Sequence, residues 1–216
     1  MATSPVVEVA RLEEASELAK VFLKCFNDDF FQTLFPHNAV GRTYMTKAYE
    51  TFMLSKQNGS QEGQVFVVKN DKGSNDAPMK FHVRLRLAPC SGSSVPKTTE
   101  LGLGASDGLP PLTDRKMGIL SLDSFFTDMA IQHEHIMGKE AHVYFELIMT
   151  DPAYQRRGYA LALLRRASQI ADELGYRMYL DAEKDVMPLY NLAGYVADDK
   201  VEQTSFMVPM VRPAQR

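Results

Sequence analysis

The sequence predicts a single mixed α/β domain. Its 216 residues suffice for one sizeable core but are few for two average domains. Short runs of strand-like composition alternate along the chain with longer segments whose apolar residues recur at helical spacing. Hydrophobic residues make up 45% and charged residues 24% of the chain, which is typical of globular domains and argues against a disordered or fibrous chain.

The N-terminal half predicts strands separated by two helices and a long loop. An aromatic-rich connection over 28–37 separates the two helices. Residues 88–116 are rich in Ser, Gly, Pro and Thr, so we expect a surface loop inserted into the domain. The predicted strands cover 5–9, 64–69 and 79–87, and the predicted helices cover 12–26 and 39–55.

The C-terminal half carries the clearest periodicity. Residues 143–150 are almost continuously apolar, as expected of a strand buried on both faces. Apolar residues at i, i+3, i+4 and i+7 predict a helix over 157–174, and Gly175 is placed to end it in a left-handed conformation. The remaining predictions are helices over 116–137 and 185–192 and strands over 176–180, 195–197 and 204–210.

Charge and cysteine content exclude several classes of protein. The net charge is -3 and the sequence has no dense Lys/Arg run, so we expect no nucleic-acid partner. Cys25 and Cys90 are too few for a disulfide framework or a four-cysteine zinc site. Because the sequence shows no signal-like or membrane-length apolar run, we expect no membrane partner and a cytoplasmic protein, with a nuclear location not excluded.

The turn over 155–160 joins the apolar strand to the periodic helix. The start of a helix leaves amide N–H groups unpaired and carries partial positive charge, so it can bind a diphosphate. Gly158 and Ala160 permit close approach, and Arg156 and Arg157 add cations. The alternative is a tight turn with two solvated arginines.

Two motifs carry a resemblance to a known family. Gln155-x-x-Gly158-x-Ala160 resembles the acetyl-CoA-binding motif of the GNAT superfamily of N-acetyltransferases. Leu189-Tyr190, followed by three residues, a glycine and an aromatic residue, is similar to the second signature of that family. The stretch 135–155 also resembles fungal members. Glu183 departs from the pattern, because many members have Asn at that place.

The resemblance implies a fold and a cofactor site. The fold is a central mixed, mostly antiparallel twisted sheet, flanked by helices, in which two strands splay apart to admit acetyl-CoA. Backbone groups of Ile148, Met149 and Thr150 would pair with the pantetheine arm. Tyr190 matches the tyrosine that protonates the departing thiolate, although it could instead be a core aromatic residue. The residues implied to surround the diphosphate are Gln155, Arg156, Arg157, Gly158, Tyr159, Ala160 and Leu161.

Acetylation of an amine needs a group that accepts its proton, because only the neutral amine is nucleophilic. Glu146 is the leading candidate, since it is the only carboxylate in the apolar strand. The period of two predicts that Glu146 shares one face with Tyr144, Ile148 and Thr150. An Arg partner for Glu146 is the alternative. Further candidates are His142, His133 and His135, but His133, Glu134 and His135 diverge on a helix, so we expect no metal.

The acceptor is expected to be the amine of a small molecule, bound by a monomer or homodimer. The resemblance implies that residues 28–37 and 196–204 line the acceptor site. Asp28 and Asp29 could attract a cationic amine and Phe30 and Phe31 could form an apolar wall, or these residues could cap a helix and fill the core. A non-catalytic acyl-CoA-binding module of the same fold and a lysine or N-terminal protein acetyltransferase remain alternative functions.

Overall fold

A computed structural model describes residues 5–54, 56–57, 60–61, 63–68, 81–88, 112–199 and 207–215. For residues 56–57, 60–61, 81–88 and 112–123 it describes the course of the backbone only. The strands are β1 (Val7–Val9), β2 (Lys56–Gln57), β3 (Ser60–Gln61), β4 (Gly63–Val68), β5 (Phe81–Ala88), β6 (His142–Thr150), β7 (Arg177–Ala182), β8 (Val196–Ala197) and β9 (Val208–Arg212). The helices are α1 (Ala15–Cys25), α2 (Asp29–Leu34), α3 (Ala39–Leu54), α4 (Leu112–Met137), α5 (Tyr159–Leu174) and α6 (Met187–Asn191).

Most predicted elements are present, and the differences have local causes. The connection over 28–37 contains the short helix α2, which begins because the Asp28 side chain accepts a hydrogen bond from Phe31 N. Of the predicted loop over 88–116, residue 88 ends β5, residues 112–116 open α4, and 89–111 lie outside the described residues. The last strand ends at Arg212, later than predicted, and residues 204–206 lie outside the described part.

Seven strands form one sheet in the order β1-β4-β5-β6-β7-β9-β8. β6 and β7 run parallel, whereas the other described neighbours in this sheet are antiparallel. The prediction of a mixed, mostly antiparallel sheet is therefore confirmed.

The parallel strands β6 and β7 part soon after they begin. They pair at three positions, the last of which is Tyr144 with Tyr179. Beyond Tyr144, β6 keeps its pairing with β5 as far as Thr150, while β7 keeps its pairing with β9 as far as Ala182. Beyond this point the described residues show no ladder between β6 and β7, which confirms the expected splay.

The helices cover the two faces of the sheet unequally. Apolar residues of α5, such as Leu163 and Leu164, pack with Phe145 and Leu180 on one face, where Tyr190 of α6 also lies. Helices α1, α2 and α3 pack on the opposite face against Leu147 and Met149, and the end of α4 packs beside Tyr144 and Tyr179 on that same face. The gap between β6 and β7 therefore opens between two different layers of helix.

A β-bulge interrupts β6 at Glu146. Leu85 pairs with Phe145 and Arg84 pairs with Leu147, so Glu146 has no opposite residue in β5. Because an extra residue reverses the alternation of side chains, Ile148 packs on the α5 face with Phe145, whereas Tyr144 lies on the other face. The prediction that Tyr144, Glu146, Ile148 and Thr150 share one face is therefore wrong.

Candidate active site

The turn that precedes α5 leaves amides available for an anion. The first hydrogen bond of the helix runs from Ala162 N to Gly158 O at 3.0 Å, so the amides of 159–161 precede it. Gly158 is the N-cap, and none of the described side chains caps this helix end. An uncapped helix start with exposed glycine backbone is suited to bind phosphate.

The backbone of this turn has an unusual conformation at two residues. Arg156 and Gly158 have φ angles of 61° and 80°. When left-handed and right-handed backbone conformations alternate, successive amide N–H groups point into the same concave site. Such sites often bind anions. A Cβ at Gly158 would meet no atom within 4 Å, so the space in front of this residue is open.

The two arginines of the turn differ in their contacts. The Arg157 guanidinium lies 5.1 Å from the centre of the Tyr154 ring and donates to Ala153 O at 3.4 Å. Arg157 thus folds back over the 3-10 turn at Pro152–Tyr154. Arg156 and Gln155 are exposed, while Tyr159, Ala160 and Leu161 are half-buried at the start of α5.

Asp151 fixes the turn to the rest of the domain. Its buried carboxylate accepts from Ala153 N at 3.0 Å and from Lys24 Nζ of α1 at 2.7 Å. Next to it, Cys25 Sγ donates to Thr150 O at 3.4 Å, so this carbonyl already has one partner from α1. The contacts tie the end of α1 to the end of β6, immediately before the candidate anion site.

Tyr190 lies on the α5 face beside the splayed strands. Its ring is buried and contacts the rings of Phe145 and Tyr195, with centroid distances of 6.4 Å and 6.1 Å. Burial, reinforced by the negative charge of Glu183, raises the pKa of Tyr190 to about 12. The phenol therefore keeps its proton at neutral pH and can donate a hydrogen bond.

On the opposite face, Asp181 of β7 is the centre of a buried polar cluster that the sequence analysis did not predict. Its Oδ1 accepts from Tyr179 Oη at 2.7 Å and from Gln132 Nε2 at 3.0 Å. Its Oδ2 accepts from Tyr144 Oη at 3.2 Å. Burial raises the pKa of Asp181 to about 6, although each of these hydrogen bonds acts to lower it.

A pair of histidines adjoins this cluster. His142 Nδ1 donates to the Glu140 carbonyl at 2.6 Å, so its Nε2 is an acceptor, and His133 Nε2 donates to it at 2.6 Å. Burial, together with the neighbouring His142, lowers the pKa of His133 to about 3, and burial also lowers that of His142. His135 and Glu134 are exposed, whereas the side chain of His133 is buried.

The predicted acceptor residues lie on α2 and at its start. Asp28 caps the helix through Phe31 N at 2.9 Å, and Asp29 is exposed in the first turn. The Phe30 ring, 42% exposed, meets the half-buried Phe31 ring at 5.3 Å. The structure brings these residues to the same face of the sheet as Asp181, since α2 packs against α4.

The bulged Glu146 is half-buried, with its Oε2 atom buried. Its assignment as the proton acceptor remains a prediction. Within the described ranges, no three His, Cys, Asp or Glu residues are grouped so as to hold a metal ion. Likewise, no helix in the described part of the chain combines the length and apolar character needed to cross a membrane.

Comparison with known proteins adds to this geometry. Residues 117–195, which include β6, α5 and α6, match the Acetyltransferase (GNAT) family. No curated protein matches the sequence.

Solved structures share the fold over nearly the whole chain. The arylalkylamine N-acetyltransferase 2 of Aedes aegypti has a TM-score of 0.59 at 12% identity, covering 99% of this chain and 100% of that chain. A Corynebacterium glutamicum structure described as histone acetyltransferase HPA2 and related acetyltransferase gives 0.56 at 18% identity, covering 99% and 98%. The PaiA N-acetyltransferase of Thermoplasma acidophilum, in complex with coenzyme A, gives 0.52 at 8% identity, covering 98% and 99%.

Proposed function

We propose that this chain, whose segment 117–195 matches the GNAT family of acetyltransferases, transfers an acetyl group from acetyl-CoA to the amine of a small molecule by direct attack in a ternary complex. The observation that carries the proposal is the combination of an uncapped helix start with a gap between parallel strands. The helix start suits a diphosphate, and the gap suits an extended chain that hydrogen-bonds to strand edges.

The residues that would hold acetyl-CoA follow from this geometry. The amides of Gly158, Tyr159, Ala160 and Leu161 would bind the diphosphate, with Arg156 as the nearby cation. Gln155 and Arg157 flank this site, and the edge of β6 at Ile148, Met149 and Thr150 would pair with the pantetheine arm. The cofactor supplies a thioester, whose acetyl carbon is open to attack by an amine.

Tyr190 is the residue proposed to assist departure of the thiolate. Its pKa of about 12 lies above that of an ordinary thiol, near 8.5, so the phenol holds its proton more tightly than the sulfur would. Tyr190 therefore acts as a hydrogen-bond donor to the negative charge that develops on the sulfur. Its burial excludes water as a competing donor.

The acceptor would enter from the face that carries α2 and α4. Asp29 offers negative charge and Phe30 an apolar surface there, and Asp28 and Phe31 support this helix. A flexible or aromatic amine fits such a surface. Among the solved structures of this fold, two bear the name of an arylalkylamine N-acetyltransferase, which agrees with this choice.

The experiment is a CoA-release assay with the full chain. Acetyl-CoA would be incubated with phenethylamine, agmatine, spermidine and a lysine-containing peptide, and free CoA would be detected with a thiol reagent. Release that depends on a small amine supports the proposal, and release with the peptide alone would favour a protein acetyltransferase. Calorimetric binding of acetyl-CoA without release in any reaction would favour a non-catalytic module.

A further inference from the structure

Asp181 is a half-buried carboxylate whose charge lacks a counterion in the described part of the chain. Among residues whose side chains the structure describes, no Lys, Arg or His forms an ion pair with it, and its three hydrogen-bond partners are two phenols and an amide. An ionised group taken out of water costs several kcal/mol unless an opposite charge compensates it. The site therefore favours the arrival of a cation.

The hydrogen-bond inventory leaves acceptor sites on the cluster for that cation. A carboxylate offers about four lone-pair sites. Tyr179 and Gln132 take two sites on Oδ1, while Tyr144 takes one on Oδ2 at the longer distance of 3.2 Å. The fully buried Gln132 also has its Oε1 without a hydrogen-bond partner among the described residues. The remaining site on Asp181 Oδ2 and the Oε1 atom of its partner Gln132 could accept hydrogen bonds from the N–H groups of an ammonium.

The position of Asp181 relates it to the proposed reaction. It follows the last β6–β7 pair by two residues on β7, so it lies where the strands have parted. It shares the face of Tyr144 and α4, whereas Tyr190 lies on the α5 face. A thioester lying in the gap would have a phenol on one side and this carboxylate on the other.

We propose that Asp181 binds the ammonium group of the acceptor and receives the proton that this group loses before it attacks. The inference rests on the proposed function and names a catalytic group that the sequence analysis did not identify. Glu146, the candidate from the sequence, lies in the bulge of β6, whereas Asp181 lies across the gap on β7.

The proton balance of this step is as follows. The ammonium gives one proton to the Asp181 carboxylate and becomes a neutral amine. The nitrogen forms a bond to the acetyl carbon, the carbon–sulfur bond breaks, and the electron pair of that bond stays on sulfur. The second proton lost from nitrogen passes to the thiolate, and the proton on Asp181 is released to water. The overall reaction turns an ammonium and a thioester into an amide, a thiol and a proton.

The surroundings of Asp181 suit this exchange. Gln132 and His133 reach the cluster from α4, Tyr144 and His142 from β6, and Tyr179 from β7. His133 and His142 are neutral near pH 7, since the pKa of each is lowered by burial. With a pKa of about 6, the Asp181 carboxylate is a stronger base than an exposed one and is still ionised at neutral pH.

The test compares the wild-type chain with Asp181→Asn, which keeps the shape of the side chain and removes its charge. Plotted against pH, kcat/KM for the amine in the wild type is expected to rise through an apparent pKa near 6. The variant should lose this rise, and kcat/KM at pH 8 should fall by roughly 100-fold or more. Its calorimetric affinity for CoA should stay within about twofold, because the anion site is untouched.

A second readout needs no cofactor. Because the pKa of Asp181 is raised in the folded chain, the folded wild type binds an extra proton between about pH 4 and 6 and loses stability as pH rises through that window. The Asp181→Asn variant has no carboxyl group at this position, so its stability does not decrease for this reason as pH rises. The Tm of the variant, measured relative to that of the wild type, should therefore increase from pH 4 to pH 7.

Asp172→Asn is the matched control, since Asp172 pairs with Arg212 at the far end of α5. It should keep the rise of kcat/KM with pH, and its relative Tm should not increase from pH 4 to pH 7, because Arg212 lowers the pKa of Asp172 and so places its titration below this window.

Each result supports or overturns the inference. Loss of the rise in Asp181→Asn together with the expected Tm trend supports it. If Asp181→Asn retains the turnover of the wild type, the inference is overturned while the proposed function stands. The same holds if the rise of kcat/KM with pH is lost in Glu146→Gln but kept in Asp181→Asn. Absence of turnover by the wild type with every amine overturns the proposed function and, with it, this role of Asp181.

Discussion

Tyr144 and Tyr179 form the last pair between β6 and β7, and both phenols donate to the same carboxylate, that of Asp181. The point at which the strands part is therefore also the centre of a polar cluster. On the other face, the Tyr190 ring lies 6.4 Å from that of Phe145, the residue after Tyr144. A phenol and a carboxylate are thus held on opposite sides of one gap by neighbouring residues of β6.

Gly158→Ala is expected to weaken the binding of CoA by about tenfold or more. A Cβ would occupy the open space that the diphosphate needs, and the φ of 80° would be strained by roughly 1–2 kcal/mol. Isothermal titration calorimetry measures the affinity, and denaturant unfolding measures the strain.

Gly175→Ala separates these two effects. Gly175 ends the same helix with a φ of 71°, and a Cβ there would also meet nothing within 4 Å. This control should lose similar stability and keep its affinity for CoA. An equal loss of affinity in both variants would show that strain, and not a blocked anion site, explains the result.

Tyr190→Phe should lower kcat by roughly 10- to 100-fold and leave KM for acetyl-CoA nearly unchanged. The ring still fills its place in the core, while the hydrogen bond to the developing thiolate is lost. Tyr195→Phe is the control, because Tyr195 is a buried neighbour whose hydroxyl donates to Met178 Sδ at 3.3 Å. Steady-state kinetics should show little change in kcat for Tyr195→Phe, and an equal fall in both variants would argue against a specific role for Tyr190.

His133→Gln should reduce the dependence of stability on pH. The pKa of His133 is about 3 in the folded chain and near 6.5 when unfolded, so below pH 6.5 the unfolded state takes up a proton that the folded state does not. This one group lowers the unfolding free energy of the wild type by up to about 1.4 kcal/mol per pH unit as pH falls from 6.5 toward 3.

Urea unfolding at several pH values gives the difference between wild type and His133→Gln. This difference should change with pH below 6.5. The exposed His135 lies two residues further along α4, and His135→Gln serves as the control. A wild type and a His133→Gln variant with parallel pH profiles would contradict a neutral, buried His133.

Arg212→Lys should lower the unfolding free energy by roughly 1–2 kcal/mol. The Arg212 side chain is 4% exposed and makes two parallel bonds of 2.8 Å to Asp172, which a lysine cannot reproduce. Arg166→Lys is the control, because Arg166 is a solvent-accessible partner of Glu173 at 3.8 Å. Chemical unfolding measures the unfolding free energy of both variants. Similar decreases in the two would mean that the paired hydrogen bonds between Arg212 and Asp172 add little stability.

The sequence was informative where backbone chemistry decides the structure. The αL conformation of Gly175 ends α5 as predicted, since glycine adopts this conformation without strain. The helix begins at Tyr159, two residues later than predicted, because Gly158 is its αL N-cap. The strand β6 was recognisable as a continuous apolar run, and the helix after it by its regular period.

Two features of the site could not be predicted from these periods. The bulge at Glu146 inserts one residue into β6, and nothing in a single sequence distinguishes it from an ordinary strand position. Gln132 and Asp181 are polar residues that satisfy one another across α4 and β7. A rule that places polar residues outside misses such pairs, because burial here depends on a partner about fifty residues away.

The most direct measurement is a crystal structure of the chain with acetyl-CoA. The account predicts the diphosphate against the amides of 158–161, the pantetheine arm along the free edge of β6, and the thioester between Tyr190 and Asp181. A diphosphate bound elsewhere, or β6 and β7 closed together with the cofactor outside them, would contradict it.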